Sequence, residues 1–134
     1  MTVRLDFFGP NARLHHVGMA VHSIEDAVPG LDSTEDPEQR VRVAFAELSG
    51  LPIELIEPAA ENSPIDASLQ KGNRLLHICL EVPSLPDALN HCSNHGFRKI
   101  SREVSAVAFD MRRIVWVFSN VFGLVELLES ESPR

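Results

Sequence analysis

Four residues stand out by type and by setting. His16, Glu54, His77 and Glu126 each interrupt an apolar stretch: His16-Val17-Gly18-Met19, Ile53-Glu54-Leu55-Ile56, Leu76-His77-Ile78 and Val125-Glu126-Leu127-Leu128. A carboxylate set between apolar neighbours is costly to bury unless it is paired, protonated or bound to a metal. Two imidazoles and two carboxylates make a donor set for one divalent ion, with Zn, Co, Ni, Mn and Fe all suited to it. Such a set can hold three or four coordination positions and leave others to water or substrate.

Repetition strengthens the reading. His16-Val17-Gly18-Met19-Ala20-Val21-His22-Ser23-Ile24-Glu25-Asp26-Ala27-Val28 returns as His77-Ile78-Cys79-Leu80-Glu81-Val82-Pro83-Ser84-Leu85-Pro86-Asp87-Ala88-Leu89, at a constant offset of 61 residues. Each copy is followed by a strand-borne Glu, first Glu54 and then Glu126. A repeat of this kind governs architecture. Packed about a pseudo-twofold axis, two such halves bring His16, Glu54, His77 and Glu126 together from four strands. A single strand histidine is explained as well by packing as by ligation; the repeated set with two carboxylates favours ligation. Strand parity sets His15 on the face opposite His16. It also turns Glu57 and Glu129 away from Glu54 and Glu126, towards solvent. His22, His91 and His95 read as surface residues.

The elements that must position these residues are legible in outline. Leu14 to Val21 alternates polar or small residues (His16, Gly18, Ala20) with larger apolar ones (Val17, Met19, Val21), the pattern of a strand with one packed face. The second copy has the same parity. Ser23-x-x-Asp26 and Ser84-x-x-Asp87 are helix N-terminal signals. In the second helix Pro86 fits the first turn, Leu85, Ala88, Leu89 and Cys92 form the apolar stripe, and Gly96 ends it. Pro29-Gly30 cuts the first helix short. Strands follow at 40–47 and 51–57, then at 114–118 and 124–129, with another near 104–109. Val3 to Phe8 suggests a short edge strand. The result is one domain over 1–134, with βαβββ modules at 13–58 and 73–131, a linker at 59–72 and a loose tail from Ser130 to Arg134.

Composition excludes several classes. The chain has 134 residues, 44% hydrophobic and 23% charged, with net charge −7. That balance argues against nucleic acid or an anionic membrane as partner. Nothing approaches a membrane-spanning run, and the N-terminus has no signal-like apolar stretch. Cys79 and Cys92 stand at apolar positions and read as buried free thiols. A cytoplasmic location is the default expectation.

The chain resembles the vicinal oxygen chelate superfamily, which includes glyoxalase I, extradiol dioxygenases, bleomycin-resistance proteins and methylmalonyl-CoA epimerase. The epimerase family is the nearest likeness. It is carried by Pro37-Glu38-Gln39-Arg40-Val41-Arg42-Val43-Ala44-Phe45, by Ile53-Glu54-Leu55-Ile56-Glu57-Pro58 with Ser63-Pro64-Ile65, and by Leu76-His77-Ile78-Cys79-Leu80-Glu81-Val82. The resemblance implies an α+β fold in which two tandem βαβββ modules form a cup-shaped mixed sheet around a metal. It assigns the ligands to His16, Glu54, His77 and Glu126, and it implies a homodimer. The first module is shortened, with 38 residues from His16 to Glu54 against 49 from His77 to Glu126. The family's Gly- and His-containing loop before the penultimate strand is replaced by Ser105 to Arg113.

The implied chemistry is that of a metal-dependent isomerase, epimerase or lyase. It works through an enolate on a small acid or an acyl thioester, CoA- or carrier-bound. Under the resemblance Glu126 serves as both ligand and acid/base, and Glu38 is the nearest candidate for a second carboxylate. Glu47 is a weaker one. Arg112 and Arg113 are candidates for anchoring a substrate carboxylate or phosphate, with Lys71 and Arg74 also available. The rival reading is a non-catalytic ligand- or antibiotic-binding protein of the same fold. Oxygen-dependent ring cleavage ranks third.

Overall fold

A computed structural model of the chain describes residues 1–131. The last part of the expected tail, 132–134, lies outside the described residues. The two strands that open the repeat, β1 (Arg13–Ala20) and β5 (Leu75–Val82), pair antiparallel at the centre of the sheet. Each is flanked by a parallel partner that carries a Glu. These are β4 (Leu51–Pro58) beside β1 and β9 (Gly123–Glu129) beside β5. Outside β4 come β3 (Val41–Leu48) and β2 (Thr34–Asp36). Outside β9 comes β8 (Arg112–Ser119), which pairs with both β6 (Arg98–Lys99) and β7 (Val104–Ala106). The order β2-β3-β4-β1-β5-β9-β8-β6 is a mixed, nine-stranded, curved sheet in an α+β fold, as the sequence predicted.

Period-two alternation sorts the side chains of this sheet onto two faces. On the outer face α3 (Leu85–Ser93) buries Leu85, Ala88 and Cys92 against Val115, Val117, Val125 and Leu127. The Ser84 hydroxyl accepts from the Asp87 N–H at 3.3 Å, and Pro86 stands in the first turn. The other helix of the pair, α1 (Ile24–Ala27), has only 4 residues, as Pro29-Gly30 predicted. Its Ile24 still packs on Ala44, Ile53 and Leu55.

Three features differ from the sequence reading. Residues 1–12 form no strand. Instead Phe7 and Phe8 pack against the α3 core, and Phe7 stacks on His95 at 4.4 Å. The linker holds a short helix, α2 (Asp66–Gln70). Ile65 and Leu69 from this stretch pack on Ala20, Val41, Val43 and Ile56. Finally, Glu57 and Glu129 do not face open water. Glu57 accepts from the Ile24 N–H at 2.7 Å, and Glu129 accepts from the Leu85 N–H at 2.9 Å. Each strand-end carboxylate thus satisfies the first amide of the helix in its own half, where the helix dipole favours negative charge.

No helix among the described residues is long and apolar enough to cross a membrane. A charged hydrogen bond of this kind contributes about 1.5–3 kcal/mol. Glu129→Ala is therefore expected to destabilise the fold by about 1–2 kcal/mol in urea denaturation, after discounting for partial exposure. An unchanged urea midpoint would show that the cap contributes nothing.

Candidate metal centre and its cavity

Strand pairing explains how the four residues meet. Across the β1–β5 pair, His16 stands opposite Cys79 and Gly18 opposite His77. These two pairs are equivalent under the repeat, since His77 follows His16, and Cys79 follows Gly18, by the same offset. The parallel pairs then set Glu54 opposite Gly18 and Glu126 opposite Cys79. The pseudo-twofold arrangement is visible in the register alone.

The result is a buried cluster. His16, Glu54, His77 and Glu126 are 1%, 5%, 5% and 3% exposed. His16 Nε2 lies 3.3 Å from Glu54 Oε1 and 3.4 Å from Glu126 Oε1, while His77 Nε2 lies 3.7 Å and 3.3 Å from the same atoms. These separations suit donors sharing one ion: ligands about 2.0–2.1 Å from a tetrahedral metal are about 3.3–3.4 Å apart. They are long for hydrogen bonds to nitrogen. His16 Nε2, His77 Nε2 and Glu126 Oε1 are buried without a hydrogen-bond partner. Orphaned polar atoms that converge on one point need a shared partner, and a divalent cation fits the donor set.

Electrostatics points the same way. Burial works against a charged imidazole at His16, but the facing carboxylates of Glu126 and Glu54 outweigh it and raise its pKa to about 9. For Glu126, burial favours the neutral acid, yet His16 and His77 hold its pKa below the usual carboxylate range. The same imidazole–carboxylate attraction that favours a proton here would favour a cation, which would compete with that proton for the site.

Packing fixes the imidazoles. A Cβ added to Gly18 would lie 2.1 Å from His77 Cε1. The small residue that shares the parity of His16 is therefore the seat of the His77 ring. Trp116 meets His77 edge-on at 4.7 Å, and Phe109 stacks on His16 at 5.5 Å. Three of the four cluster residues, Glu54, His77 and Glu126, open onto a cavity of about 560 Å³. That is a typical ligand-pocket volume. Its walls are mainly apolar, with Val43, Ile56, Leu76, Phe118 and Leu124 among them, and no Lys or Arg lines it among the described residues.

Residues 15–116 match the family described as the Glyoxalase/Bleomycin resistance protein/Dioxygenase superfamily. The chain belongs to this superfamily. Human mitochondrial methylmalonyl-CoA epimerase is 34% identical to it over 103 residues, covering 69% of this chain and 58% of the human protein. An ethylmalonyl-CoA/methylmalonyl-CoA epimerase of Cereibacter sphaeroides is 29% identical over 128 residues, covering 86% of this chain and 96% of that one. A solved Streptomyces coelicolor methylmalonyl-CoA epimerase variant, in complex with 2-nitronate-propionyl-CoA, superposes with a TM-score of 0.69 at 25% identity. The match covers 90% of this chain and 98% of that one.

Within this glyoxalase-superfamily fold the remaining candidates fall elsewhere. Glu38 is exposed and pairs with Arg102 at 3.3 Å. It does not line the cavity. Arg112 is taken up by Glu81 at 2.8 Å and Arg113 by Glu103 at 3.1 Å, and neither lines the cavity. Glu47 is exposed on β3. Sequence reasoning passed over Asp36, a carboxylate 4% exposed on the cavity wall. Its Oδ1 accepts from the Gln39 N–H at 3.0 Å and its Oδ2 from Gln39 Nε2 at 2.8 Å. No local signal marked it, since Asp36-Pro37 reads as a turn. The aromatic braces Phe109 and Trp116 carried no signal beyond hydrophobicity.

Gly18→Ala is expected to push the His77 ring aside and to weaken divalent-metal affinity about tenfold or more, as loss of ligand support does elsewhere. Metal titration of the purified variant, with circular dichroism to confirm folding, tests this. Unchanged affinity would mean that His77 is not held as described.

Proposed function

We propose that the protein is a metal-dependent epimerase acting on a small acyl thioester. The observation that carries this reading is the buried cluster of His16, Glu54, His77 and Glu126 at the wall of an apolar cavity. Relatives named as epimerases support it. The four residues would hold one divalent ion. When bound, the ion supplies Lewis-acid stabilisation of the negative charge that develops on the substrate carbonyl as the α-proton leaves.

The chain's own residues supply the rest. The apolar walls exclude water, which strengthens every charge interaction inside. Asp36, Glu54 and Glu126 are the charged lining, all acidic. An anionic acyl group would be repelled by these carboxylates, and a cation held by the cluster would offset that repulsion. Glu126, on β9, takes or gives the α-proton on one face of the substrate carbon. Epimerisation needs a second group on the other face. Asp36 reaches the same cavity from β2, in the other half of the repeat, and takes the role that the resemblance suggested for Glu38. Gln39 holds both Asp36 oxygens and fixes their direction. The homodimer belongs to the same reading.

The test is proton exchange into D₂O with the metal-loaded protein and a panel of 2-methyl acyl thioesters that includes methylmalonyl-CoA. Exchange and racemisation are expected with at least one of them. Asp36→Asn is expected to slow racemisation by about 10²–10⁴-fold, while exchange from one epimer persists. No exchange with any thioester would leave the binding-protein reading in its place.

A further inference from the structure

We propose that His15 is a positioning residue for His16, holding that ring so that Nε2 is the nitrogen offered to a metal. The inference rests on the metal-centre reading of the four-residue cluster. It begins with an irregularity in β1. In the pairing with β5, Leu14 stands opposite Leu80 and His16 opposite Cys79, so two steps on β1 match one on β5. His15 is the extra residue of this bulge. A bulge suspends strict alternation and re-aims a side chain. His15 therefore escapes the opposite-face position that regular parity gave it, and its Nδ1 comes to 2.8 Å from His16 Nδ1.

The distance decides what this contact is. A ring nitrogen of His15, one of His16 and Cys79 Sγ lie within 4.8 Å of one another, which raises the question of a second ion. Two nitrogens on one tetrahedral metal are about 3.3–3.4 Å apart. A separation of 2.8 Å is instead that of a hydrogen bond.

A bond between two Nδ1 atoms needs one proton and one lone pair. If His15 donates, neutral His16 carries its own proton on Nε2 and cannot ligate through that atom. If His16 donates, Nε2 has a free lone pair directed at Glu54 Oε1 and Glu126 Oε1. Metal binding selects the second tautomer, with His15 as acceptor. Phe109 braces both rings, edge-on to His15 at 5.4 Å and stacked on His16 at 5.5 Å. Ligating histidines generally owe their orientation to a partner on the other ring nitrogen. Here that partner is the preceding residue, made available by the bulge.

The experiment is a Co²⁺ titration of the full chain, read by d–d absorption, for wild type, His15→Phe and His15→Asn. His15→Phe keeps a ring against Phe109 and removes the acceptor. It is expected to weaken Co²⁺ affinity about 10–100-fold and to alter the absorption band. His15→Asn restores an acceptor and is expected to recover most of the lost affinity. Thermal melting of the metal-free proteins reports folding independently of the metal. Wild-type affinity and spectrum in His15→Phe would overturn the proposal, as would equal losses in both variants, which would mark a packing role. If wild type takes up no ion, the metal-centre reading fails first and the role of His15 falls with it.

Discussion

The structure turns on the burial of two imidazoles and two carboxylates at one point of a β-sheet. Each ion taken from water costs several kcal/mol unless it is compensated. Here compensation comes from mutual placement, and the placement comes from four strands in fixed register. Because β1 and β5 pair antiparallel at the centre, with parallel β4 and β9 outside them, each half delivers one His and one Glu to the same side. Nearby choices then follow from the need to keep those groups converged. Gly18 leaves room for the His77 ring, Phe109 and Trp116 brace the imidazoles, and the bulge at His15 gives His16 a partner.

The two halves agree at the cluster and differ around it. The helix of the first half has 4 residues and that of the second has 9. Yet both keep the same device, a strand-end Glu on the first helical amide. The inner side of the first half is completed by the stretch around α2, which lies between the halves in sequence. The cavity is thus asymmetric although the His/Glu cluster is not. Asp36 and Gln39 line it from β2 and the turn that follows, while Trp116, Phe118 and Leu124 line it from the second half.

The repeat and strand parity made much of this legible in the sequence. They identified the residues the structure brings together; the mixed α+β sheet was what the family resemblance implied, and the truncated first helix followed from Pro29-Gly30. Parity failed where the strand is irregular: a rule of period two cannot foresee a bulge, and so His15 was set on the wrong face. Pairing partners distant in sequence were equally invisible. Arg112 and Arg113 read as available cations because nothing local marks Glu81 and Glu103 as their ion-pair partners. Glu57 and Glu129 read as solvated because their partners are backbone amides of a different element. Asp36 was hidden because Asp-Pro reads as turn chemistry, whereas its side chain is buried on the cavity wall.

The central claim is that one cation is shared by His16, Glu54, His77 and Glu126. X-ray absorption on the zinc-loaded protein tests it most directly. The expected result is one ion per chain, with two imidazole nitrogens among ligands at about 2.0–2.2 Å and oxygen at the remaining positions. Failure to bind zinc or any other divalent ion, or a sulfur ligand at about 2.3 Å from Cys79, would contradict it.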